Sequence, residues 1–319
     1  MSKRVLITGG SGFIGGSLAK SLISLGINVN VITRNNFAST APGINYFQMD
    51  ISDPNIQLDE SLQGVDTVLH CAGRVHMLKE LSSNPLAEYR RVNVDFTLRL
   101  AREAARSGVR RFVYLSTLGV HGGSSKNGAP LKETDLFSPQ NHYSLSKLEA
   151  EEGLWSLSRE LGLEVVVIRP PLVYGFEAPG NFYRLFNLIK CGIPLPLGAL
   201  HNKRSLVSLD NLVDFVYVCM THPNAAGEAF FVSDGSDLST TELVKKLIRA
   251  LDSSSLLLPI PSGLLRFLLT SFGFSRLDQQ LCGSLQISIL KAATILGWIP
   301  PVSVDNGILN TIRPFQSRR

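Results

Sequence analysis

The chain has 319 residues, of which 44% are hydrophobic and 18% are charged. At roughly 100–200 residues per domain, this length allows one large domain or two modest ones. The composition excludes disordered, collagen-like and low-complexity proteins. Lys and Arg number 31 against 26 Asp and Glu, but no run of five or more like charges occurs, so the sequence predicts no nucleic-acid-binding arm.

The cysteines and the apolar stretches bear on the compartment. The four cysteines have neither C-x-x-C spacing nor histidines at zinc-finger distances, so we predict no metal site and no disulfide framework, and we expect a cytoplasmic protein. The apolar stretch 5–7 is too short for a signal-peptide core. The most apolar region, 256–274, is interrupted by Pro259, Pro261 and Arg266, whereas a spanning helix needs about 20 mostly apolar residues. We predict no membrane insertion there, and favour packing in the core or against a second copy over contact with a membrane surface.

Short β-branched runs alternate with stretches of helical period from residue 3 to about 170. The predicted strands are 5–8, 29–33, 46–49, 67–70, 112–116 and 165–168. The predicted helices are 13–25, 87–107 and 143–161. Several strands are apolar at consecutive positions, as expected for a parallel sheet covered on both faces. The pattern predicts an α/β fold with a Rossmann-type doubly wound parallel sheet.

The rhythm changes after residue 169, where Gly and Pro punctuate the chain without a regular βα repeat. We therefore predict a first domain over 1–169 and a smaller, irregular α/β domain over 170–319, with parts of about 205–235 returning to the first. In this second part a strand is predicted at 228–233. A capping box over 239–242 opens a helix that continues through Leu251.

A glycine-rich turn, TGGSGFIG at 8–15, follows the first predicted strand and opens the first helix. Glycine is needed where the backbone turns tightly and approaches a pyrophosphate, whose charge then lies at the helix N-terminus. Since the strand and helix supply the required context, we predict dinucleotide binding here. The residues assigned to the dinucleotide are Gly9, Gly12, Phe13, Ile14 and Gly15. The alternative is a turn that only permits close packing of helix on strand.

The end of the second predicted strand bears on the choice of dinucleotide. Where an NAD-binding protein places an acid on the ribose hydroxyls, this chain has Thr33 and Arg34. An arginine pairs with a 2′-phosphate that an acid would repel, so NADP is favoured over NAD. The alternative is that Arg34 is a solvated surface residue and NAD binds through other contacts. Further cofactor contacts are predicted after the third and fourth strands, at Asp50, Ile51, Cys71, Ala72 and Gly73.

Tyr143 and Lys147 are four residues apart and so lie on one face of a helix. The ammonium group is expected to stabilise the phenolate and to lower the pKa of Tyr143 from its ordinary value of about 10. Such a phenol suits proton transfer between a carbonyl and an alcohol. An ordinary surface pair is the alternative. Ser116 and Thr117, at the carboxyl end of the fifth predicted strand, offer a hydroxyl for the same substrate oxygen. All these segments follow predicted strands, so a parallel sheet brings them to one edge.

The chain resembles the extended short-chain dehydrogenase/reductases of the NAD(P)-dependent nucleotide-sugar epimerase/dehydratase family over about 3–301. The resemblance rests on the glycine turn, Asn93 and the segments HCAG at 70–73, YLSTLGVHG at 114–122, YSLSK at 143–147 and RPPLVYG at 169–175. It implies a bound nicotinamide cofactor and a nucleoside-diphosphate sugar held by the second domain.

Residue roles follow from the resemblance by position. It implies that Tyr143 is the acid/base, that Lys147 binds the nicotinamide ribose and tunes Tyr143, and that Thr117 holds the reacting oxygen. The residues placed beside the cofactor are Asn93, Ser116 and Pro170, and those placed on the diphosphate of the sugar nucleotide are Asn181 and Arg204. Arg276 is the candidate for a final diphosphate-binding arginine.

Departures from the family pattern narrow the set of reactions that the sequence predicts. Leu118 and Gly119 follow Thr117 where 4,6-dehydratases have Asp and Glu, so the acids for water elimination are missing. His121 replaces a usual Tyr, which we interpret as a packing change. The segments 194–214 and 283–288 are most similar to bacterial polysaccharide and O-antigen enzymes.

Two enzymes of that group fit the sequence. One is a reductase of UDP-4-keto-6-deoxy-N-acetylhexosamine that forms UDP-N-acetylquinovosamine, which Arg34 favours through freely exchanging NADPH. The other is a 4-epimerase of UDP-glucose or UDP-N-acetylglucosamine with tightly bound NAD. A dinucleotide-sensing regulator is disfavoured by the intact catalytic residues, and a steroid- or flavonoid-type reductase by the polar Asn181 and Arg204. We expect a homodimer that binds a UDP-sugar and does not bind nucleic acid.

Overall fold

The computed structural model describes residues 4–34, 42–75, 83–126 and 128–316, which form two compact units. The first unit comprises Met1–Gly122, Phe137–Arg169 and Phe215–Phe230, and the second comprises Gly123–Leu136, Pro170–Asp214 and Phe231–Arg319. Residues 123–136, which the sequence pattern leaves in the first domain, thus belong to the second unit.

The strands are β1 (Arg4–Thr8), β2 (Asn28–Thr33), β3 (Ile44–Gln48), β4 (Thr67–His70), β5 (Arg111–Leu115), β6 (Glu164–Arg169), β7 (Leu172–Tyr174), β8 (Leu206–Ser208) and β9 (Ala229–Phe231). The α-helices are α1 (Phe13–Ser24), α2 (Asp59–Leu62), α3 (Pro85–Arg90), α4 (Phe96–Arg106), α5 (His142–Leu161), α6 (Asn181–Lys190), α7 (Leu209–Thr221), α8 (Thr240–Leu251), α9 (Ser262–Ser271), α10 (Ser275–Cys282), α11 (Leu290–Leu296) and α12 (Val304–Gln316).

The central sheet has the strand order β3-β2-β1-β4-β5-β6-β9. Each neighbouring pair from β3 through β6 is parallel. The order reverses direction at β1, as in a doubly wound fold, and places the ends of β1 and β4 side by side at the switch point. The predicted α/β fold with a Rossmann-type parallel sheet is confirmed, and the six predicted strands are found with bounds shifted by no more than two residues.

Consecutive apolar residues form these strands because both faces of the sheet are covered. Leu6, Val68 and Phe112 on neighbouring strands are each fully buried. They pack in one cluster with Phe96 and Leu100 of α4. Fully burying such a side chain stabilises the fold by about 1.5–3 kcal/mol, so this cluster fixes the strands whose carboxyl ends carry the candidate site.

Helix α5 is held at both ends by local sequence signals. The Asn141 side chain accepts a hydrogen bond from the Ser144 amide at 2.9 Å and caps the N-terminus. Gly162 ends the helix in the left-handed conformation, with φ +68°. Tyr143 and Lys147 therefore occupy the first two turns of a firmly capped helix.

The second unit contains the two-stranded parallel sheet β7-β8 and helices of mixed length. The predicted capping box is present, because Ser239 accepts from the Glu242 amide and the Glu242 carboxylate accepts from the Ser239 amide. The strand predicted over 228–233 is found as the shorter β9. Among the described residues, no helix is both long enough and apolar enough to cross a membrane.

Candidate active site

The carboxyl ends of the parallel strands in the first unit lie at one edge of the sheet. Thr8 pairs in register with His70, and His70 with Tyr114. Thr33 pairs with Gln48 in the same way. The segments that follow these strands therefore emerge on the same side, where ligands bind in open α/β sheets.

The glycine turn combines close packing with an uncovered helix end. Gly9 has φ +72°, and a Cβ there would lie 2.9 Å from the Cα of Ala72. A Cβ on Gly15 would lie 2.3 Å from the carbonyl oxygen of Gly9, so α1 can approach the turn only with glycine at this position. Packing accounts for these two glycines. Gly12 is exposed, and a Cβ there would lie 3.2 Å from the Gly9 carbonyl oxygen, a tight contact but a less severe one.

The N-terminus of α1 fits the pyrophosphate of a dinucleotide. Gly12 is its N-cap and makes no side-chain capping bond, and the first turn contains no acidic residue. The first amides of a helix carry partial positive charge and satisfy anions well. Phe13 and Ile14 supply the amides of this turn and are half-buried. The residues present therefore suit a dinucleotide, with its phosphates placed against backbone N–H groups.

The ends of β2 and β3 place Arg34 close to Asp50. Thr33 is buried, whereas Arg34 is exposed and its carbonyl oxygen accepts from the Gln48 side chain at 3.3 Å. The Asp50 carboxylate accepts from the amide and the hydroxyl of Ser52, which lower its pKa, and the Arg34 guanidinium lowers this pKa further. Asp50 thus closes its own turn. The neighbouring Ile51 packs against the core cluster.

The segment after β4 is built from small residues for steric reasons. Ala72 is buried against Gly9. A Cβ on Gly73 would lie 3.1 Å from Asn93 Oδ1 and 3.4 Å from Lys147 Nζ. Burial raises the pKa of the Cys71 thiol to about 12, so Cys71 is neutral at physiological pH and acts as a small apolar side chain.

Asn93 lies in a π-helical turn, Arg91–Asp95, that interrupts the single helix predicted over 87–107. That prediction is wrong in this respect, because one extra residue per turn leaves no mark in the hydrophobic pattern. The Asn93 side chain is buried; it accepts from the Arg74 amide at 2.7 Å and donates to the Arg74 carbonyl at 3.0 Å. It also lies 2.9 Å from Ser146 Oγ on α5. Asn93 thereby links the segment after β4 to the helix of Tyr143.

Tyr143 is half-buried near the start of α5, and its ring meets the edge of Tyr89 at 6.5 Å between centroids. Burial, with a smaller contribution from Tyr89, raises the pKa of Tyr143 to about 12. The expectation that Lys147 lowers this pKa is therefore wrong for this arrangement. The physical reason is that desolvation of the phenolate dominates.

Lys147 is directed at the end of β5. Its Nζ donates to the Leu115 carbonyl oxygen at 2.9 Å and lies 4.5 Å from the centre of the Tyr114 ring. The side chain is 3% exposed, and burial lowers its pKa to about 8. With a pKa of about 8 the ammonium group is still charged at neutral pH, and it can donate hydrogen bonds to ribose hydroxyls.

The two hydroxyl residues after β5 have different surroundings. The Ser116 hydroxyl is buried and donates to the Glu151 carboxylate. Thr117 is half-buried, and its Oγ1 accepts from the Gly119 amide at 3.1 Å, which starts a 3₁₀ turn. The Thr117 hydroxyl proton is left to donate, so Thr117 rather than Ser116 is suited to hold a substrate oxygen.

A buried ion pair supports this part of the site, and sequence reasoning missed it. The Arg169 guanidinium donates to both carboxylate oxygens of Glu151, at 2.6–3.2 Å. Both side chains are at most 3% exposed. Arg169 also lies 3.0 Å from His121 Nε2 and over the ring of Phe137. The available signal was Glu151 four residues after Lys147 on one helix, with Arg169 at the end of β6.

The predicted sugar-nucleotide residues belong to the second unit. Asn181 starts α6 and donates to the Gln280 side chain at 2.5 Å. Arg204 donates to the backbone carbonyls of Gln279 and Gly283, and burial lowers its pKa. Pro170 follows β6 directly. The side chain of Arg276 lies outside the described part of the chain.

A Rossmann-type sheet with a glycine turn and a Tyr-x-x-x-Lys helix at its carboxyl edge defines a nicotinamide-dependent short-chain dehydrogenase/reductase. The NAD dependent epimerase/dehydratase family model matches residues 5–232. The chain therefore belongs to this family, and is an extended short-chain dehydrogenase/reductase enzyme of the nucleotide-sugar epimerase/dehydratase type, as predicted.

Two similar proteins match most of the chain. It is 39% identical over 318 residues to a UDP-glucose 4-epimerase of Vibrio cholerae, covering 99% of this chain and 96% of that protein. It is 29% identical over 269 residues to an N-acetyl-α-D-glucosaminyl-diphospho-ditrans,octacis-undecaprenol 4-epimerase of Escherichia coli O157:H7, covering 83% of this chain and 78% of that protein.

Solved structures agree with the fold. A UDP-glucuronic acid 4-epimerase of Bacillus cereus in complex with NAD has a TM-score of 0.79 at 20% identity, over 99% of both chains. A UDP-glucose 4-epimerase of Thermotoga maritima with UDP-glucose gives the same TM-score at 24% identity, again over 99% of both chains. At such identities these likenesses establish the shared architecture.

Proposed function

We propose that the protein transfers hydride between a nicotinamide cofactor and C4 of a UDP-sugar, and that its reaction is 4-epimerisation. The observation that carries this proposal is the grouping of Thr117, Tyr143 and Lys147 at the sheet edge that also holds the glycine turn. The likeness to the Vibrio cholerae UDP-glucose 4-epimerase over almost the whole chain supports C4 as the reacting carbon and UDP as the nucleotide.

The bound nicotinamide would supply the hydride acceptor and donor. Tyr143 takes the proton of the sugar 4-hydroxyl during oxidation and returns it to the 4-keto oxygen during reduction. Thr117 donates a hydrogen bond to the same oxygen and holds it against the phenol. Lys147 contributes a cation beside the phenol once its ammonium group turns from the Leu115 carbonyl towards a ribose hydroxyl.

Burial raises the pKa of Tyr143 to about 12 in the protein without ligands, so its phenol is neutral there. A neutral phenol is ready to protonate a keto oxygen, whereas taking the proton of the 4-hydroxyl requires the phenolate. Cationic groups that bound ligands bring near the phenol lower this pKa.

Elimination is not part of the proposed chemistry. A 4,6-dehydratase needs an acid and a base beside the sugar after oxidation. Leu118 and Gly119 provide neither, and the Leu118 side chain is buried in the 3₁₀ turn.

A second candidate function is the reduction of a UDP-4-keto-6-deoxy-N-acetylhexosamine by NADPH. Arg34 favours it, because an exposed guanidinium at the end of β2 can pair with a 2′-phosphate. NADP as the cofactor belongs to this candidate, and NAD to the epimerase. Both use Tyr143 and Thr117 in the same roles.

The remaining assignments are part of the same proposal. The glycine turn, Asp50 with Ile51, residues 71–73, Asn93 and Ser116 are proposed to line the cofactor, and Asn181 with Arg204 the diphosphate of the sugar nucleotide. A homodimer in the cytoplasm, acting in surface polysaccharide synthesis, is the proposed setting.

Two incubations analysed by NMR separate the candidates. The protein is mixed with UDP-glucose or UDP-N-acetylglucosamine and NAD, and separately with the 4-keto-6-deoxy derivative and NADPH. The epimerase predicts the matching 4-epimer, UDP-galactose or UDP-N-acetylgalactosamine, in the first incubation, and the reductase predicts a 4-hydroxy product with oxidation of NADPH in the second. Absence of both products would overturn the proposal.

A further inference from the structure

A chain of side-chain hydrogen bonds is centred on His70, a residue to which the proposed function gives no role. His70 ends β4, is 1% exposed and pairs in register with Thr8 at the end of β1. Its Nδ1 lies 2.5 Å from Thr8 Oγ1, and its Nε2 lies 2.8 Å from Thr97 Oγ1 on α4. The ring thus bridges a strand and a helix inside the first unit.

The direction of each bond follows from the groups at the two ends. Thr97 Oγ1 donates to the Asn93 carbonyl at 2.8 Å, so its oxygen accepts the Nε2–H of His70. At the other end the Ala72 amide donates to Thr8 Oγ1 at 3.2 Å, which leaves the Thr8 proton for Nδ1. His70 is therefore neutral, with its proton on Nε2. Burial lowers the pKa of His70 well below its ordinary value and keeps it in this form.

The two ends of this series of hydrogen bonds, at Thr8 and at Thr97, belong to different parts of the site. The Thr8 end holds Ala72 where it meets Gly9, at the contact that a Cβ on Gly9 would break. The Thr97 end holds the carbonyl of Asn93 in the π-helical turn, and the Asn93 side chain in turn reaches the helix of Tyr143 through Ser146.

We propose that His70 is a positioning residue with two separable effects: its Nδ1 side fixes the glycine turn for dinucleotide binding, and its Nε2 side fixes the Asn93 turn for catalysis. The inference rests on the proposed function and deepens it. Histidine suits the position because one flat ring offers an acceptor and a donor in opposite directions. The ring also stacks on Tyr114, with centroids 5.6 Å apart, so both nitrogens are held in place.

Two amide substitutions at His70 each break one side of this series of hydrogen bonds. The Oδ1 of an asparagine reaches the position of Nδ1 and can accept from Thr8, while the link to Thr97 is lost. The Nε2 of a glutamine reaches the position of the imidazole Nε2 and can donate to Thr97, while the link to Thr8 is lost. In each variant one buried hydroxyl loses its hydrogen bond to residue 70 and keeps its other one, a change that corresponds to about a tenfold effect on the equilibrium it controls.

The test measures the dinucleotide Kd by calorimetry and kcat with the sugar that the wild type converts. His70→Gln is expected to raise Kd about tenfold with a smaller fall in kcat, and His70→Asn to lower kcat about tenfold with a smaller rise in Kd. Thr8→Val should reproduce the glutamine pattern, and Thr97→Val the asparagine pattern. A purely structural role predicts the same change in both variants, seen as a lower Tm.

Thr67→Val is the matched control, because Thr67 is a buried threonine at the other end of β4. It is expected to change Tm without moving Kd or kcat. Equal Kd and kcat changes in the two His70 variants, or wild-type values in Thr8→Val and Thr97→Val, would overturn the inference. If the wild type converts no sugar, the proposed function fails, and the Kd comparison of the four variants still decides the role of His70.

Discussion

Lys147 Nζ donates to the main-chain carbonyl oxygen of Leu115 at 2.9 Å, at the point where β5 ends and the Ser116-Thr117 segment begins. The bond ties the second turn of α5 to the strand that precedes Thr117. Because the ammonium group is desolvated there, its pKa falls to about 8. The ammonium group of Lys147 is thus held in a contact within the protein.

Lys147 makes the stability of the fold depend on pH. Its pKa is about 8 in the folded chain against 10.5 in the unfolded chain, so the unfolded state binds more protons between these values and stability rises with pH across this window. Charged Lys147 lowers the stability at neutral pH by about 3 kcal/mol. We expect Lys147→Met to be more stable than the wild type at pH 7, with the difference shrinking towards pH 10 in urea titrations. A difference that does not change with pH would contradict this.

Tyr143→Phe is expected to remove about 10²–10⁴-fold of kcat, because the variant keeps the ring but has no proton to exchange with the sugar oxygen. The dinucleotide Kd should stay within about threefold, since the ring still packs against Tyr89. Steady-state kinetics and calorimetry on the same preparation check both. Turnover close to that of the wild type would remove Tyr143 from the mechanism.

Arg34→Ala separates the two cofactor assignments. If Arg34 pairs with a 2′-phosphate, the variant loses about tenfold or more in affinity for NADPH and little for NADH. Arg102, exposed on α4, offers the control Arg102→Ala, which should leave both affinities unchanged. Equal losses for the two cofactors in Arg34→Ala would argue against NADP and for the NAD-dependent epimerase.

Gly15→Ala is expected to weaken dinucleotide binding by about tenfold or more, because the new Cβ would lie 2.3 Å from the Gly9 carbonyl oxygen and must push α1 off the turn. Gly263→Ala is the control, since Gly263 is helical and a Cβ there meets no atom within 4 Å. That variant should gain up to about 1 kcal/mol of stability. Unchanged binding in Gly15→Ala would show that the turn is not a rigid cradle.

Two glutamates on α5 allow a comparison of buried and exposed ion pairs. Glu151 pairs with Arg169, and both side chains are at most 3% exposed, whereas Glu149 pairs with Arg90, whose side chain is 48% exposed. Glu151→Gln leaves a buried guanidinium uncompensated and should lower the free energy of unfolding by about 3–5 kcal/mol. Glu149→Gln should lower it by less than about 1 kcal/mol. Similar losses in urea unfolding would show that the Arg169 pair contributes no more than a surface contact.

The parts of the fold that sequence reasoning predicted are those set by local chemistry. The strand at 67–70 matches the structure, since β-branched and apolar residues there are covered on both faces. The capping box of α8 depends on Ser239 and Glu242 alone and was also predicted. The glycine turn is equally local, because it needs residues without side chains at fixed positions, and the sequence shows these directly.

Features that depend on tertiary surroundings were not predicted. The π-helical turn at Arg91–Asp95 inserts without changing the hydrophobic period. The partner of Glu151 is Arg169, 18 residues along the chain, and the spacing alone does not show that the two side chains meet. The pKa of Tyr143 was expected to fall, because the Tyr–Lys spacing was visible whereas the burial of the phenol was not.

The measurement that tests hydride transfer at C4 most directly is the fate of deuterium in UDP-[4-²H]N-acetylglucosamine incubated with the protein and NAD in ordinary water. If hydride leaves C4 and returns to its other face while Tyr143 moves only the hydroxyl proton, the UDP-N-acetylgalactosamine formed keeps its deuterium at C4. Deuterium lost to water, or no 4-epimer from either this sugar or UDP-[4-²H]glucose, would contradict the proposed reaction.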